Sequence, residues 1–273
     1  MELDQVVTAP RDLADLALSA ARLAATDATG RRRRGLELST KSSATDLVTD
    51  ADRAAEAIIV EHLLAARPHD GVLGEEGGEH RGTSGVRWII DPIDGTTNFV
   101  YDIWAWGVSI GAEVDGRMVA GAVVVPGTDT EFHAAEGEGA YEGDHRLHLG
   151  QAAALATSLV GTGFSYDADR RARQGRVVAQ LLPRVRDIRR MGAASVDLCA
   201  VAAGRLDAYF EAGLQPWDLA AGGLIATEAG ASVTNLQGRP LPADPSSSTV
   251  VACHPERAGA LLALLNECGA EHV

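Results

Sequence analysis

Two stretches near the start of the chain carry apolar residues at the three- and four-residue spacing of an amphipathic helix. The first predicts a helix over residues 12–28, behind Pro10, a residue favoured in the first helical turn. The second predicts a helix over residues 52–66. Four arginines at positions 31–34 are flanked by glycines. Because an isolated basic tetrad rarely forms a nucleic-acid surface, we expect these arginines in a solvated loop.

The pattern then changes to short β-rich runs separated by turn residues, which predicts an antiparallel meander. After about Gln151 it alternates strands with helices, as is typical of an α/β layer with helices on the sheet faces. The predicted strands cover residues 88–90, 107–113, 118–125 and 131–135 in the meander, and 158–161, 187–190, 206–211, 231–234 and 249–253 afterwards. The later predicted helices cover residues 168–182, 194–203, 218–229 and 255–268.

Charge and composition narrow the classes of function. The 273 residues include 24 Lys+Arg and 38 Asp+Glu, which gives a formal net charge of −14. Such acidity argues against binding to nucleic acid or to an anionic membrane by bulk charge. With 46% apolar residues the chain can bury a full core, and its length fits one large domain or two intimate ones.

Targeting signals and cysteines indicate the compartment. No stretch approaches the ~18 apolar residues that cross a bilayer, and the N-terminal segment carries acids where a signal peptide carries bases. The three cysteines are an odd number at wide spacing without a Cys-x-x-Cys pair, which argues against a disulfide framework or a zinc ribbon. We therefore expect a soluble cytoplasmic protein.

The most informative segment covers residues 88–99, where an apolar strand ends in two carboxylates. Asp91 and Asp94 are separated by a dipeptide that begins with the stiff residue Pro92. Residues 95–98, Gly-Thr-Thr-Asn, predict a turn that opens a helix, where backbone N–H groups and hydroxyls can hold a phosphate. The alternative is a capped turn with two surface acids.

Two further acidic positions favour a metal site. Glu75 and Glu76 lie in a glycine-flanked loop after a short apolar run, and Asp218 stands at the start of a predicted helix. Taken singly, Asp218 is explained as a helix cap. Clustered carboxylates without nearby histidine or cysteine select Mg²⁺ rather than zinc.

In combination these motifs resemble the inositol monophosphatase family of Mg²⁺-dependent phosphatases. The similar pieces are Gly-Glu-Glu at 74–76, Asp-Pro-Ile-Asp-Gly-Thr-Thr-Asn-Phe at 91–99, Trp-Asp at 217–218, and a segment from Lys41 to Asp52. The resemblance runs from about residue 39 to residue 253. It implies an α/β fold, a layered αβαβα sandwich of the sugar-phosphatase type, with an α+β half over residues 1–150 and an α/β half over residues 151–273.

The resemblance also implies roles for the acidic residues. A first Mg²⁺ would be held by Glu75, Asp91 and the carbonyl of Ile93, and a second by Asp91, Asp94 and Asp218. Glu75 would help to position a weaker third ion, which gives two to three Mg²⁺ per site. The implied catalytic residues are Asp52, Glu75 and Thr96, of which Asp52 and Thr96 would orient the attacking water.

Substrate contacts are implied in the same way. The implied substrate-binding residues are Asp94, Gly95, Thr96, Thr97, Gly192, Ala193, Ala194 and Glu211, and the accessory residues are Lys41, Asp46 and Glu76. Gly95 and Thr96 would hold the phosphate through N–H groups, and Glu211 would bind substrate hydroxyls. For Glu211 a plain surface position stays open, and Arg189 and Arg190 are interpreted either as anion or subunit contacts or as exposed side chains.

The predicted function is Mg²⁺-dependent phosphomonoester hydrolysis, with inositol 1-phosphate favoured as substrate. Histidinol phosphate, fructose 1,6-bisphosphate and 3′-phosphoadenosine 5′-phosphate are alternatives with the same chemistry. A non-catalytic interaction protein is a further alternative, because one fold hosts many functions. The resemblance implies a lithium-sensitive homodimer that binds a small phosphorylated polyol or sugar, with no nucleic-acid or membrane partner.

Overall fold

The computed structural model describes residues 9–41 and 47–273. Within them it has seven α-helices and fifteen strands, which confirms the predicted α/β class. The helices are α1 (Pro10–Arg34), α2 (Asp50–Ala66), α3 (Thr96–Val100), α4 (Ala168–Leu181), α5 (Ala194–Ala202), α6 (Pro216–Glu228) and α7 (Pro255–Glu267). The strands are β1 (Leu38–Thr40), β2 (Leu47–Thr49), β3 (Gly71–Gly74), β4 (Gly78–His80), β5 (Val86–Asp94), β6 (Gly107–Val114), β7 (Arg117–Val125), β8 (Thr130–Ala135), β9 (Gly139–Glu142), β10 (His145–Arg146), β11 (Leu159–Thr162), β12 (Asp187–Arg189), β13 (Ala208–Ala212), β14 (Ser232–Asn235) and β15 (Thr249–Cys253).

The first large sheet has eight strands in the order β10-β9-β8-β7-β6-β5-β3-β4. From β5 to β10 consecutive strands pair antiparallel, so the predicted meander is confirmed. Strands β3 and β5 pair in parallel, with Gly74 opposite Ile90. Because parallel strands end at the same edge of a sheet, the residues that follow Gly74 and Ile90 are brought together.

The second large sheet has five strands in the order β12-β11-β13-β15-β14. Strand β11 pairs in parallel with β12 and β13, whereas β15 pairs antiparallel with β13 and β14. The remaining pair, β1 and β2, forms a separate antiparallel hairpin.

Helices cover and separate the two sheets, which produces five layers. Helices α1 and α2 pack on one face of the eight-stranded sheet, and α5 and α6 pack on its other face. Helices α5 and α6 also pack against the five-stranded sheet, whose far face is covered by α4 and α7. The α5–α6 layer has apolar residues all round because it is buried between two sheets. The order of layers is therefore αβαβα.

The expectation that the arginines at 31–34 lie in a solvated loop is wrong, because they form the last turn of α1. Arg31 pairs with Asp27 at 2.5 Å, and Arg32 pairs with Asp102 at 2.8 Å while its guanidinium lies 5.6 Å from the Phe99 ring centroid. Cations are favoured at this position because a helix C-terminus carries partial negative charge. The basic tetrad therefore extends the first helix beyond its predicted end.

The other predicted elements differ from the structure mainly at their ends, by one to three residues. Strand β5 is the largest departure, since it runs on through both of its aspartates to Asp94. The short strands β1, β2, β3, β4, β9 and β10 were not predicted. None of the helices that the structure describes is long and apolar enough to span a membrane.

Candidate functional site

A β-bulge in β5 brings Asp91 and Asp94 to the same site. Asp91 lies opposite Ser109 and Asp94 opposite Gly107, so β5 uses two intervening residues where β6 uses one. In a regular strand, residues three apart point to opposite faces. The extra residue in the bulge returns Asp94 to the same face of the sheet as Asp91. Proline is tolerated in the bulge at position 92, because a bulged residue needs no ladder hydrogen bond from its nitrogen.

The third carboxylate of this cluster comes from the first turn of α6. Asp218 forms a capping box with Gln215, whose N–H donates to Asp218 Oδ2 at 2.7 Å. Oxygens of Asp91, Asp94 and Asp218 lie within 4.8 Å of one another. Asp218 is thus a helix cap, as its position suggests, and also part of a group that could hold a metal ion.

Helix α5 fixes the orientation of Asp94. Asp94 Oδ2 accepts hydrogen bonds from the N–H of Ser195 at 2.7 Å and from its hydroxyl at 2.5 Å. Asp94 Oδ1 accepts a bond from the N–H of Ala194 at 3.2 Å. The N-terminal turn of a helix stabilises a carboxylate because its N–H groups are unpaired within the helix and its dipole is positive there.

Burial and mutual repulsion make this cluster a strong site for a cation. Asp91 and Asp94 are 1% and 7% exposed. Burial, followed by repulsion from Glu75, Asp94 and Asp218, raises the pKa of Asp91 well above its usual range. Burial also raises the pKa of Asp218 and, despite the hydrogen bonds from Ser195, that of Asp94. A hard divalent cation would remove this repulsion, and an all-oxygen donor set suits Mg²⁺.

Glu75 and Glu76 occupy the turn between β3 and β4, beside this cluster. The Lys41 ammonium donates to Glu75 Oε1 at 2.7 Å and also pairs with Glu76. Burial lowers the pKa of Lys41, but the two carboxylates outweigh burial and raise it overall. The N–H of Glu75 donates to the carbonyl of Ile90 at 3.2 Å, which ties the turn to the residue before Asp91.

Asp52 and Thr96 meet on the far side of the β5 terminus. Asp52 is fully buried in the first turn of α2, where its Oδ2 accepts from the N–H and hydroxyl of Thr49 at 2.8 and 2.6 Å. The Thr96 hydroxyl lies 3.4 Å from Asp52 Oδ1 and 3.2 Å from the carbonyl oxygen of Ile93. Burial raises the pKa of Asp52 to about 6, although the bonds from Thr49 oppose the shift.

Glu211, at the end of β13, has a polar environment of its own. Its Oε2 accepts from the Tyr209 hydroxyl at 2.5 Å. Burial raises the pKa of Glu211 to about 7, while Tyr209 and the positive charges of Arg190 and Arg170 act in the opposite direction. Glu211 and both arginines line the same cavity as the carboxylate cluster, so Glu211 does not sit on plain surface.

This cavity has a volume of about 600 Å³ and contains most of the predicted site residues. The predicted residues that line it are Lys41, Glu75, Asp91, Ile93, Asp94, Gly95, Thr96, Gly192, Ala194, Glu211 and Asp218. Asp52, Glu76, Thr97 and Ala193 are not among its lining residues, and Ala193 is buried in the core between the β-sheet and α5. Asp46 lies outside the described residues. Arg190 lines the cavity, whereas Arg189 is exposed and pairs with Asp187 at 2.7 Å.

Several residues of the site were not singled out from the sequence. Ser195 holds Asp94, Thr49 holds Asp52, and Tyr209 donates to Glu211. Glu56 accepts a hydrogen bond from the backbone of Glu76 at 2.9 Å. An available signal was the spacing of Asp52 and Glu56, which places two acids on the same face of the predicted helix as Ala55 and Ile59.

Comparison with known proteins agrees with this arrangement. The model of the inositol monophosphatase family matches residues 5–270. Inositol-1-monophosphatase SuhB of Mycobacterium tuberculosis is 47% identical over 234 residues, which cover 82% of this chain and 80% of that protein. Nus factor SuhB of Salmonella typhimurium is 40% identical over 205 residues, covering 74% of this chain and 76% of that protein.

A solved structure is similar over nearly the whole chain. It is a crystal structure of SaIMPase-II with bound inositol monophosphate, and it is 31% identical with a TM-score of 0.78. The match covers 94% of this chain and 97% of that one. The fold, the site and these similarities define an enzyme of the phosphatase class. The chain belongs to the inositol monophosphatase family.

Proposed function

We propose that the chain is a Mg²⁺-dependent phosphomonoesterase that hydrolyses inositol 1-phosphate to inositol and phosphate. The observation that carries this proposal is the convergence of Asp91, Asp94 and Asp218 in a cavity large enough for a sugar-sized phosphate. Such a group of buried carboxylates is costly to fold unless a cation neutralises it. We therefore take the cluster to be a metal centre rather than a structural feature.

The proposed ligands divide between two principal ions. Asp91, Glu75 and the carbonyl of Ile93 would hold one Mg²⁺, while Asp91, Asp94 and Asp218 would hold the other. Glu75 would also help to hold a third and weaker ion. The position of Glu75 beside Asp91 at the parallel ends of β3 and β5 supports its inclusion. Bound Mg²⁺ would neutralise phosphoryl oxygens and lower the pKa of a coordinated water.

The protein groups around the metals would orient the reactants. Thr96 and Asp52 form a hydroxyl–carboxylate pair that can accept a proton from an attacking water and hold that water in line. Glu75 faces the same region of the cavity. The N–H groups of Gly95 and Thr96 would hold the phosphate, with Thr97 and Ala194 close to the bound group. Because the transition state spreads charge over phosphoryl oxygens, positioning and charge neutralisation supply most of the catalysis.

Glu211 supports a polyol as the rest of the substrate. A carboxylate beside the carboxylate cluster, held by Tyr209, can accept hydrogen bonds from vicinal hydroxyl groups. Gly192 would let the substrate approach the backbone of the loop before α5. The SaIMPase-II structure with bound inositol monophosphate supports the same substrate class. Histidinol phosphate, fructose 1,6-bisphosphate and 3′-phosphoadenosine 5′-phosphate stay as alternative substrates.

We also propose that the chain works in the cytoplasm as a homodimer. The support for a dimer is an apolar loop after α3, in which Tyr101, Ile103 and Trp104 are 71%, 45% and 48% exposed. A run of exposed apolar side chains is typical of an interaction surface.

Light scattering tests the dimer. The parent should have twice the mass of one chain, and Ile103→Glu should reduce the measured mass to that of one chain. A single-chain mass for the parent would contradict the dimer.

A panel of phosphomonoesters tests the proposed activity. We expect phosphate release to be fastest from inositol 1-phosphate, to vanish in EDTA and to return with Mg²⁺. Millimolar Li⁺ should then reduce turnover, as the family resemblance implies. Metal-independent release would contradict the metal centre, and a preference for one of the alternative esters would correct the substrate alone. Absence of release from every ester would favour a non-catalytic interaction protein.

A further inference from the structure

Helix α2 presents two acids to the site, one helical turn apart. Asp52 points to Thr96, and Glu56, four residues later, points to the turn between β3 and β4. Glu56 is only 7% exposed. Its carboxylate accepts from the N–H of Glu76 at 2.9 Å and from the N–H of Gly77. A buried carboxylate that binds successive backbone N–H groups fixes the conformation of the turn that supplies them.

The glycines of this turn show how closely it wraps around Glu56. A Cβ atom at Gly74 would lie 2.5 Å from Glu56 Oε2, and one at Gly77 would lie 2.5 Å from Oε1. Neither glycine has a positive φ angle, so backbone conformation does not require glycine at these positions. The close contact is with the Glu56 carboxylate, which occupies the space that a side chain at either position would enter.

The turn is also held from its opposite side. The Lys41 ammonium pairs with the carboxylates of Glu75 and Glu76, while the Glu75 N–H donates to Ile90. These contacts restrain the side chains and the start of the turn. Glu56 restrains the backbone that follows Glu75, because its carboxylate accepts from the Glu76 N–H.

We propose that Glu56 is a positioning residue for metal binding, because it holds the β3–β4 turn so that the Glu75 carboxylate faces Asp91. This inference rests on the proposed role of Glu75 as a metal ligand. Outer groups that orient a metal ligand commonly change metal affinity by about 10- to 100-fold when they are lost. Glu56 does not touch substrate, so its loss should weaken metal binding much more than it lowers turnover at saturating metal.

Direct binding of Mn²⁺ to the substrate-free protein, followed by electron paramagnetic resonance, tests the proposal. Glu56→Gln keeps the shape of the side chain. It replaces one acceptor oxygen with an NH₂ group, which cannot accept a hydrogen bond from the N–H groups of the turn. We expect the Mn²⁺ dissociation constant of the Glu75-dependent site to rise about tenfold. Turnover at saturating Mg²⁺ should stay within about threefold of the parent. Glu61→Gln, on the exposed side of the same helix, is the matched control and should change neither quantity.

A second variant covers the case in which Glu56→Gln does not fold. Gly77 is exposed, so Gly77→Ala should fold while its methyl group displaces the Glu56 carboxylate. We expect the same weakening of Mn²⁺ binding. In a Glu56→Ala background, Gly77→Ala should have no further effect on the dissociation constant, because the displaced group is gone. An unchanged constant in the Gly77→Ala single variant would overturn the proposal.

Glu75→Gln separates failure of this inference from failure of the proposed metal site. If Glu75→Gln weakens Mn²⁺ binding and Glu56→Gln does not, Glu56 has only a structural role and the inference is wrong. If neither variant weakens binding, while Asp91→Asn abolishes it, Glu75 is not a ligand and the inference fails with that assignment. If all three weaken binding, and Glu56→Gln acts mainly on affinity, both proposals are supported.

Discussion

Asp52 is a fully buried carboxylate whose charge depends on two bonds from one threonine. The N–H and hydroxyl of Thr49 both donate to Asp52 Oδ2, and they oppose the rise in the pKa of Asp52 that burial causes. An acid that must accept a proton during the reaction works only when it is ionised. The activity of the enzyme should therefore depend on Thr49, although Thr49 does not reach the substrate.

We predict that Thr49→Val moves the acidic limb of kcat/KM to higher pH. In the parent, with a pKa of about 6 for Asp52, activity should rise as pH increases through 6. Losing a hydrogen bond to the charged form costs about 1.5 kcal/mol, which raises the pKa of Asp52 by about one unit. Thr49→Ser keeps the hydroxyl and should leave the limb in place. Identical pH profiles for parent and Thr49→Val would show that Asp52 is not the controlling group.

Glu211 is predicted to determine specificity rather than the rate of phosphate hydrolysis in general. Above pH 7, where the Glu211 carboxylate is mainly ionised, Glu211→Gln should lower kcat/KM for inositol 1-phosphate by roughly ten- to a hundredfold, since hydrogen bonds to a charged acceptor contribute about 1.5–3 kcal/mol. Hydrolysis of an aryl phosphate without hydroxyl groups should change much less. Steady-state kinetics on both substrates decide the matter: equal losses would assign Glu211 a structural or metal-site role.

At the scale of single residues, the sequence predicts acids better than the groups that hold them. The sequence points to Asp91, Asp94 and Asp218 because buried or clustered carboxylates are costly unless they bind a partner or a metal ion. The sequence does not predict the roles of Ser195 and Glu56, because serine and glutamate are common on helices that have no functional role. Their roles come from contacts with backbone or side chains far away in the sequence, such as the bond from Ser195 to Asp94. Only the tertiary structure brings these partners together.

Among the elements, α5 has the most direct effect on the metal site. Its first turn gives Asp94 three hydrogen bonds, one of them from the Ser195 hydroxyl. The orientation of a carboxylate ligand depends on such bonds, which hold its free lone pairs toward the metal. Helix α5 is itself fixed because it is buried between the two sheets.

Ser195→Ala should therefore weaken binding of the metal ion that Asp94 and Asp218 are proposed to share. We expect about a tenfold rise in the Mg²⁺ concentration that gives half-maximal activity, as is common for groups that orient a ligand. Thermal unfolding of the metal-free protein should change little, because alanine keeps the helix and its backbone bonds. Calorimetric titration with Mg²⁺ measures the affinity. A parent-like affinity would mean that the backbone N–H bonds alone orient Asp94.

The hydrophobic pattern predicts the ends of some elements less well than their existence. The helix α1 runs to Arg34 because Arg31 and Arg32 find acidic partners, one of them as distant as Asp102. Strand β5 includes Pro92 because a bulge, not a strand end, accommodates it. Periodicity identifies both elements, whereas long-range pairs and the bulge decide where each of them ends.

At the scale of the molecule, the acidic cluster destabilises the fold, and the proposed metal binding would offset that cost. Burial raises the pKa of all three aspartates, and repulsion adds to the rise for Asp91 and Asp218, so their ionised forms destabilise the metal-free fold. The cluster uses residues from both sides of position 150, and α5 and α6 pack against both large sheets. We retain a boundary near residue 150 as a proposal for two intimate halves.

Mg²⁺ should accordingly stabilise the whole protein against heat. At a free concentration of 100 times its dissociation constant, a ligand that binds only the folded state contributes about 2.7 kcal/mol, which corresponds to a rise in Tm of ~5 °C or more. The rise should shrink on acidification, because the pKa values of the three aspartates are raised and protonated carboxylates bind metal poorly. Calorimetry in Mg²⁺ and in EDTA at two pH values measures both effects. A Tm that Mg²⁺ leaves unchanged would contradict a metal centre in the core.

We propose above all that Asp91 would be a ligand of both metal ions, and one variant tests this most directly. Asp91→Asn should remove nearly all Mg²⁺-dependent phosphate release from inositol 1-phosphate, while circular dichroism stays that of the folded parent. Asp115→Asn, in an exposed turn, is the control and should keep full activity. The measurement is phosphate release at saturating Mg²⁺ by the three proteins. We expect Asp91→Asn to lose activity by about a thousandfold or more, because both proposed metal sites would be weakened. Activity within tenfold of the parent would contradict the shared-ligand role of Asp91.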